Sequence, residues 1–423
     1  MDHKILRIFS LCIIFQLAFL TARPAYNQVL KDPRAVGMAG AYTAVARDFY
    51  AVGYNPANLA VLKRNIFTVQ ILGLSAGVSN SSITLNDYNR YTGADLEKDG
   101  MKEELLNSIP ENGVTLFFTG NLSPILLNFS TANFAFTTNV LSYGEITIPK
   151  APFEILFQGN EIGKDFEISA GGEAIGVGEA AASFSAVFLR FLIGTSLKYL
   201  YGFSYAIVDS SEGNFKTDST YITGEGDYKI KRSSGGSGYA VDVGILYLTA
   251  TGWKIGVSVS NLFGKITWTK GNVINHFYYD IENLNLNKLS TRGFESLVKG
   301  GNEEEKGVGK FSTTYPGILR VGVAKEYKNY LIAFDYTKGF EDRLFSTTKP
   351  RFALGMEYHP YIWIPLRIGF AIGGKHGREL AFGMGYETRL LMIDFAYSNI
   401  GGIWFGSSRG FEISLGIAFR ILK

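Results

Sequence analysis

The chain has 423 residues, of which 46% are hydrophobic, but it contains no apolar run long enough for a membrane-spanning helix. Its formal net charge is only +3 and it has no block of basic residues, which argues against nucleic acid as a partner. The 49 glycines, the 14% aromatic content and the mere 11 prolines favour strands over helices.

The first predicted element is a secretory signal peptide over residues 1–25. Lys4 and Arg7 give a positive start, the apolar stretch Ile8–Leu20 follows, and small residues come next. This order is typical of a cleaved signal, and the apolar stretch is too short to span a membrane. Cys12, the one cysteine of the chain, would be removed with it. We therefore expect a mature chain with neither a disulfide nor a cysteine-based metal site.

Residues 26–61 form the second predicted unit, a small plug segment ahead of the first strand. The stretch is rich in alanine and glycine, including Gly37 and Gly40, so its backbone can approach a surrounding wall closely. Asp48 ends this stretch, and Asn55-Pro56-Ala57 follows it. The Asn55 side chain can cap a turn, and Pro56 fixes φ for the next position. The alternative interpretation is a simple turn that leads into the first strand.

From residue 62 onward the sequence alternates with a period of two. Within Gly410–Leu422, the odd positions from 411 to 421 are all large and apolar, and the even positions from 412 to 420 are all small or charged. Strand side chains point alternately to the two faces of a sheet, so this pattern predicts a strand with one apolar face. Similar segments recur along the chain, for example at 239–247, 253–259, 330–337, 351–359, 366–373, 379–387 and 391–398.

The second face of these strands indicates where they lie. It consists of glycine and alanine with one or two charges per strand, which is too small and sparse for a surface in water. This small face is typical of residues that point into a crowded barrel lumen. The apolar face is typical of residues in contact with lipid, and a sheet in lipid must be closed. We therefore predict an all-β fold: a transmembrane antiparallel β-barrel of about 14 strands over 62–423, chosen from some sixteen candidate strands. Leu286–Lys310 is predicted to be a long polar loop.

Charged residues on the small face make up the polar constellation of the predicted lumen. They either pair with one another and with the plug, or they line a solute path and hold a movable hatch. The residues are Arg320, Asp335, Arg351, Glu357, Arg367, Glu387, Asp394 and Arg420.

One motif and three histidines could suggest an active site, but both are better explained as parts of the fold. Ser75 lies in a Gly-x-Ser-x-Gly pattern at 73–77, but a hydrolase nucleophile needs a strand-to-helix turn and here the pattern lies inside a strand. His276, His359 and His376 lack the spacing of metal ligands. We expect no enzymatic activity, no metal and no cofactor.

The N-terminal segment resembles a known family. GMAGAYTAVARD at 37–48 and NPANLA at 55–60 are similar to the plug, or hatch, of the FadL-type long-chain fatty-acid transporters and their relatives, which include a type IX secretion shuttle protein. The resemblance covers about thirty residues, with Arg47-Asp48 where two acids are common and Asn58 where glycine is usual.

This resemblance implies a bacterial outer-membrane protein surrounded by membrane lipids. It implies transport of hydrophobic or amphipathic small molecules, with a long-chain fatty acid as an example of a ligand. The alternative that it leaves open is a non-transporting outer-membrane partner or shuttle for secreted proteins.

Overall fold

The computed structural model describes residues 32–61, 65–98, 100–284, 298–375 and 377–422. The predicted signal peptide, residues 1–25, lies outside the described residues and stays a prediction. Within the described ranges, no helix has the length and apolar character needed to cross a membrane.

In the described ranges, twenty strand segments join in a single sheet whose strand-to-strand pairings are all antiparallel. They are β1 Asn65–Asn80, β2 Val114–Ser123, β3 Phe129–Thr131, β4 Phe134–Ile148, β5 Asp165–Glu167, β6 Gly171–Phe188, β7 Phe191–Thr217, β8 Ile222–Ser233, β9 Gly235–Leu248, β10 Trp253–Lys270, β11 Val273–Leu284, β12 Val298–Lys306, β13 Phe311–Thr314, β14 Ile318–Glu326, β15 Tyr330–Gly339, β16 Arg351–Tyr361, β17 Ile364–Gly373, β18 Gly377–Glu387, β19 Leu391–Ile400 and β20 Gly410–Leu422. The α-helices are α1 Pro33–Gly37, α2 Leu85–Tyr91, α3 Met101–Ser108 and α4 Ala151–Gln158, and 3-10 turns cover Asp48–Ala51, Pro56–Ala60 and Phe405–Ser407.

These segments make a closed barrel of 14 strands. Segments β2 and β3 share one barrel strand, as do β8 and β9, β10 and β11, and the three segments β12 to β14. The first strand pairs with the last, from Asn65 opposite Leu422 to Ser79 opposite Gly410. Closure leaves the barrel without a free edge, so every strand of the wall has two neighbours. The prediction of an antiparallel barrel of about 14 strands is confirmed.

Four of the barrel strands continue past the barrel as a projecting sheet. The outer part of β7, then β8, β11 and β12 pair in that order. The predicted polar loop over Leu286–Lys310 is therefore wrong at 298–306, which is strand β12 paired with β11. Glu303, Glu304 and Glu305 are all exposed there. A strand with water on both faces needs no apolar alternation, so the sequence pattern that identifies barrel strands is missing from it.

The two ends of the barrel differ. One end, called the turn end, carries the start of β1, the end of β20 and short turns such as 189–190 and 362–363. The other, called the loop end, carries the long connections, including 81–113 and 149–164. Alternation along the wall follows the predicted faces: Leu354 is 52% exposed on the outside, while Ser414 is 1% exposed on the inside.

Candidate functional site

Residues 32–61, called the plug below, lie inside the turn-end half of the barrel. Helix α1 contacts β17 to β20, and the 3-10 turn Pro56–Ala60 contacts β6, β7 and β9. Nearly every plug residue is buried. Because the plug lies against the wall, the inward-facing side chains of these strands are small.

Glycines of the wall fit directly against the plug backbone. A β-carbon at Gly369 would lie 2.2 Å from the carbonyl carbon of Met38, and one at Gly194 would lie 2.3 Å from the amide nitrogen of Ala57. At Gly37 the plug itself comes so close that a β-carbon would be 3.0 Å from Cα of Gly383. The plug is thus seated on bare backbone, and larger side chains at these wall positions would displace it.

The start of the plug is held by its own cap. The Asp32 side chain accepts a hydrogen bond of 2.8 Å from the amide of Arg34, and Pro33 opens helix α1. Burial raises the pKa of the Asp32 carboxyl to about 6, although the neighbouring Arg34 guanidinium acts in the opposite direction.

The predicted turn residues Asn55, Pro56 and Ala57 lie on the opposite side of the plug, against β7 and β9. Oδ1 of Asn55 accepts a 3.1 Å hydrogen bond from the amide of Ala57 and so caps the 3-10 turn. Its Nδ2 donates to the carbonyl oxygen of Ile245 on the wall, at 3.1 Å. One side chain therefore fixes the turn and fastens it to the barrel. At Gly244, a β-carbon would lie 2.1 Å from this Oδ1, so only glycine leaves room for it.

Four of the predicted lumen charges meet in one network with two arginines of the plug. Arg367 is fully buried and donates to Glu357 at 2.6 Å, to Asp394 at 2.5 Å and to Glu387 at 3.4 Å. From the plug, Arg34 donates to both oxygens of Glu357 at 2.8 Å, and Arg47 donates to Glu387. These three arginines and three carboxylates balance in charge, which a buried cluster requires.

The remaining predicted charges, apart from Arg420, lie outside this network. Asp335 accepts from the amides of Tyr42 and Thr43 at 3.1 and 2.8 Å, so a wall carboxylate holds plug backbone. Arg320 donates to Ser260 at 2.7 Å, and Arg351 pairs with Glu379 at 2.5 Å from wall to wall. The other predicted plug residues are Asp48, which accepts from Thr68 at 3.2 Å, and Gly40, whose φ of +79° favours glycine. Arg420 contacts Glu387 at 3.4 Å.

Lys198 is a buried lumen charge that the sequence reasoning missed. Its ammonium group lies 2.8 Å from Asp242, 2.9 Å from Oδ1 of Asn261 and 3.6 Å from Glu179. The signal was present, because Lys198 follows Gly194 and Ser196 on the small face of a strand.

A second missed feature fills the loop-end half of the lumen. It is a cluster of buried side chains, called the aromatic chamber below, whose wall aromatics include Tyr143, Tyr205, Trp268 and Tyr315. Trp268 is fully buried, its ring lies 5.1 Å from that of Tyr205 at 24°, and its Nε1 donates to Thr313 at 2.9 Å. The plug stays in the other half, so here large side chains of the wall fill the space.

The barrel wall is interrupted between β2 and β3. Ladder pairing stops at Ser123 and resumes at Phe129, and the intervening residues 124–128 leave the sheet. Ile125 and Leu126 in this stretch are 64% and 55% exposed. We call residues 123–129 with the facing parts of β1 and β4 the wall seam. A phase change in β1 occurs beside it, since the register with β20 shifts between Gln70 and Leu72.

Polar side chains close the wall seam and connect it to the plug. Asn128 accepts a 2.5 Å hydrogen bond from the amide of Thr138 on β4 and donates one of 2.6 Å to Gln70 on β1. Gln70 in turn donates to the hydroxyl of Tyr50 in the plug at 3.0 Å. Two backbone hydrogen bonds also cross the seam, from the amide of Gln70 to the carbonyl oxygen of Asn128 at 2.8 Å and from the amide of Leu126 to the carbonyl oxygen of Gln70 at 3.0 Å. Side chains and these two bonds thus take the place of the regular ladder between Ser123 and Phe129.

Among the residues that the structure describes, no group of acids and histidines could hold a metal ion. The barrel and plug are similar to three solved structures over nearly their whole length. They are a Pseudomonas aeruginosa FadL homologue (14% identity, 92% of this chain and 98% of that chain, TM-score 0.51), the CymD monoaromatic hydrocarbon channel (13%, 94% and 99%, 0.50) and a TodX deltaS2S3 mutant of a monoaromatic hydrocarbon channel (11%, 92% and 97%, 0.51).

No curated protein sequence matches the chain significantly. A family model described as a family of unknown function, DUF5723, matches residues 56–395. The predicted resemblance to FadL-type proteins is confirmed at the level of the fold. The chain thus belongs to the DUF5723 family, and its fold is that of the FadL-type barrels.

Proposed function

We propose that this chain is a bacterial outer-membrane transporter of hydrophobic or amphipathic small molecules. The observation that carries the proposal is the division of the lumen. The plug and its ion pairs fill one half, which blocks polar solutes, while the aromatic chamber in the other half suits an apolar molecule. Structures of similar fold described as a FadL homologue and a monoaromatic hydrocarbon channel support the same substrate class.

The proposed orientation follows the rule for outer-membrane barrels, which have short periplasmic turns and longer outer loops. The loop end then faces the cell exterior and the plug faces the periplasm. The apolar outer wall, with Leu354 52% and Phe395 43% exposed, would meet lipid. A molecule arriving from outside would reach the aromatic chamber before the plug.

We propose the wall seam as the exit from the lumen. A straight path to the periplasm would carry an apolar molecule through the network of Arg367, Glu357 and Glu387, and disturbing buried charges is costly. The seam leads sideways instead, towards the exposed apolar residues Ile125 and Leu126. Because Asn128, Gln70 and Tyr50 link the seam to the plug, a shift of the plug would loosen it.

Removing residues 124–126 tests this route. Between Leu122 and Phe129, the first strand of the seam has six residues, 123–128, opposite only three in β4, 137–139. Deleting three restores equal numbers, with Asn128 still facing inward and Leu127 outward. We expect a continuous wall, normal amounts of folded barrel, and uptake of labelled toluene and fatty acid reduced to that of cells lacking the chain.

The matched control is a deletion of residues 92–94 in the exposed loop between α2 and α3. It removes as much chain without touching the wall, so uptake should be normal. Normal uptake by the seam deletion would contradict the lateral exit. If cells with and without the chain take up both compounds equally, transport is refuted, and capture of secreted proteins by the purified chain would favour the partner function.

A further inference from the structure

The connection between β15 and β16 turns back into the barrel. Residues 340–350 of this connection, called the lid, carry Leu344 and Phe345, which are 0% and 5% exposed. Both pack among the residues of the aromatic chamber rather than on the loop surface. Leu344 holds a φ of +49°, a conformation that a leucine rarely adopts. The lid therefore keeps an unusual backbone in order to place two apolar side chains inside.

The side chain of Phe345 sits between two tyrosine rings. Its ring centroid is 5.1 Å from that of Tyr315 at 71° and 6.3 Å from that of Tyr143 at 81°. Edge-to-face contacts at these distances are the preferred packing of aromatic rings. The two tyrosines come from separate parts of the barrel wall and form a cage, whereas Phe345 comes from the loop between β15 and β16.

Two cations hold the lid in place. Arg343 of the lid donates to Glu173 of β6 at 2.5 and 2.8 Å and to the hydroxyl of Tyr205 at 2.8 Å. On the other side, Lys375 donates to the carbonyl oxygen of Leu344 at 2.7 Å and to Glu145 at 2.8 Å. The first pair spans lid and wall, and its side chains are only 24% and 8% exposed. Charge-assisted bonds of this kind are stronger than neutral ones, so they act as a latch.

The latch also determines which charge the open entrance carries. In the closed state Arg343 and Lys375 balance Glu173 and Glu145. When the lid leaves, Arg343 leaves with it, and the wall keeps two carboxylates and one lysine. This net negative charge would repel an anionic molecule but not an uncharged one.

We infer that the cage between Tyr143 and Tyr315 is a binding site for the uncharged ring of an apolar molecule, which Leu344 and Phe345 occupy until that molecule displaces them. The inference rests on the proposed function and makes it more specific in two respects. It names an internal occupant that competes with the ligand, and it disfavours free fatty-acid anions relative to neutral aromatic molecules at this site.

The test follows the lid directly in the purified full-length chain in detergent. Ser346, 1% exposed, is replaced by cysteine in a chain that also carries Cys12→Ser, and the rate of reaction with a fluorescent maleimide is measured. We expect slow labelling of the closed lid. Toluene should raise the rate, and laurate at equal concentration should raise it much less.

Glu173→Gln releases the latch without changing the size of the side chain. We expect it to raise the labelling rate about tenfold, which corresponds to the loss of one charge-assisted hydrogen bond. Glu111→Gln is the matched control: Glu111 is an exposed loop-end carboxylate, 2.6 Å from Lys150 and away from the lid, so labelling should stay slow.

Three outcomes would overturn the inference. Fast labelling of the unmodified lid would show that it is not closed, and a rate unaffected by toluene would show that the cage is not a ligand site. A larger response to laurate than to toluene would refute the charge argument. The toluene response needs no latch variant, so it remains decisive if Glu173→Gln fails to fold. Labelling requires no transport, so a responsive lid together with failed uptake would refute the proposed function alone.

Discussion

Replacing Arg367 by alanine should lower the free energy of unfolding by about 3–5 kcal/mol, the usual result of removing one partner from a buried ion cluster. The guanidinium is fully buried and is the common partner of Glu357, Asp394 and Glu387. Its loss would leave carboxylates in the lumen without compensation. The measurement is a urea titration of the purified barrel in lipid vesicles.

A matched control uses an arginine that forms an equally short ion pair on the solvent-exposed surface. Arg90 lies 2.6 Å from Glu104, but both side chains are about half exposed, so Arg90→Ala should have no measurable effect. Neutralising Asp394 as Asn in the Arg367→Ala chain should restore much of the loss, because Asp394 pairs with Arg367, whereas Glu357 must stay charged to pair with Arg34. If Arg367→Ala is as mild as Arg90→Ala, the network does not hold the plug half together.

The second large effect is expected at Gly369. Valine at this position would place its β-carbon 2.2 Å from plug backbone, and backbone cannot move aside as a flexible side chain can. The ladder of β17 is untouched, so the barrel should assemble while the plug is unseated. We expect conductance in planar bilayers and sensitivity to large polar antibiotics to rise strongly.

Gly178→Val provides the control for this substitution. It lies on the outer face of β6, where the nearest atom to an added β-carbon is 3.8 Å away. Conductance should remain as low as in the unchanged chain. A Gly369→Val barrel that stays closed would mean that the plug does not block the lumen.

The barrel could be predicted from the sequence because lipid and lumen require different side chains. The alternation from Gly410 to Leu422 records both environments in one strand, and it does so independently of any distant contact. Strand β12 has water on both faces, so its sequence lacks this alternation of apolar and small residues. Large inward-facing residues such as Trp268 were not predicted, because inward-facing side chains are small only where the plug lies against the wall.

The ion pairs within the lumen could be predicted only in part from the sequence. Glu357 and Arg367 face each other across the hairpin of β16 and β17, so the register of a short turn was sufficient to pair them. The contact of Arg34 with Glu357 joins residues 323 positions apart and depends on how the plug sits. No local pattern specifies such a contact. The lid of residues 340–350 was missed for the same reason, since its burial depends on the chamber it enters.

We propose that this barrel passes apolar molecules while its plug excludes polar ones. The most direct measurement compares cells lacking the chain with cells in which it is restored, using labelled toluene, labelled fatty acid and a labelled polar sugar too large for passive leakage. We expect the restored chain to raise uptake of toluene most, fatty acid less, and the sugar not at all. Unchanged toluene and fatty-acid uptake with normal amounts of barrel in the outer membrane, or raised sugar uptake, would contradict the claim.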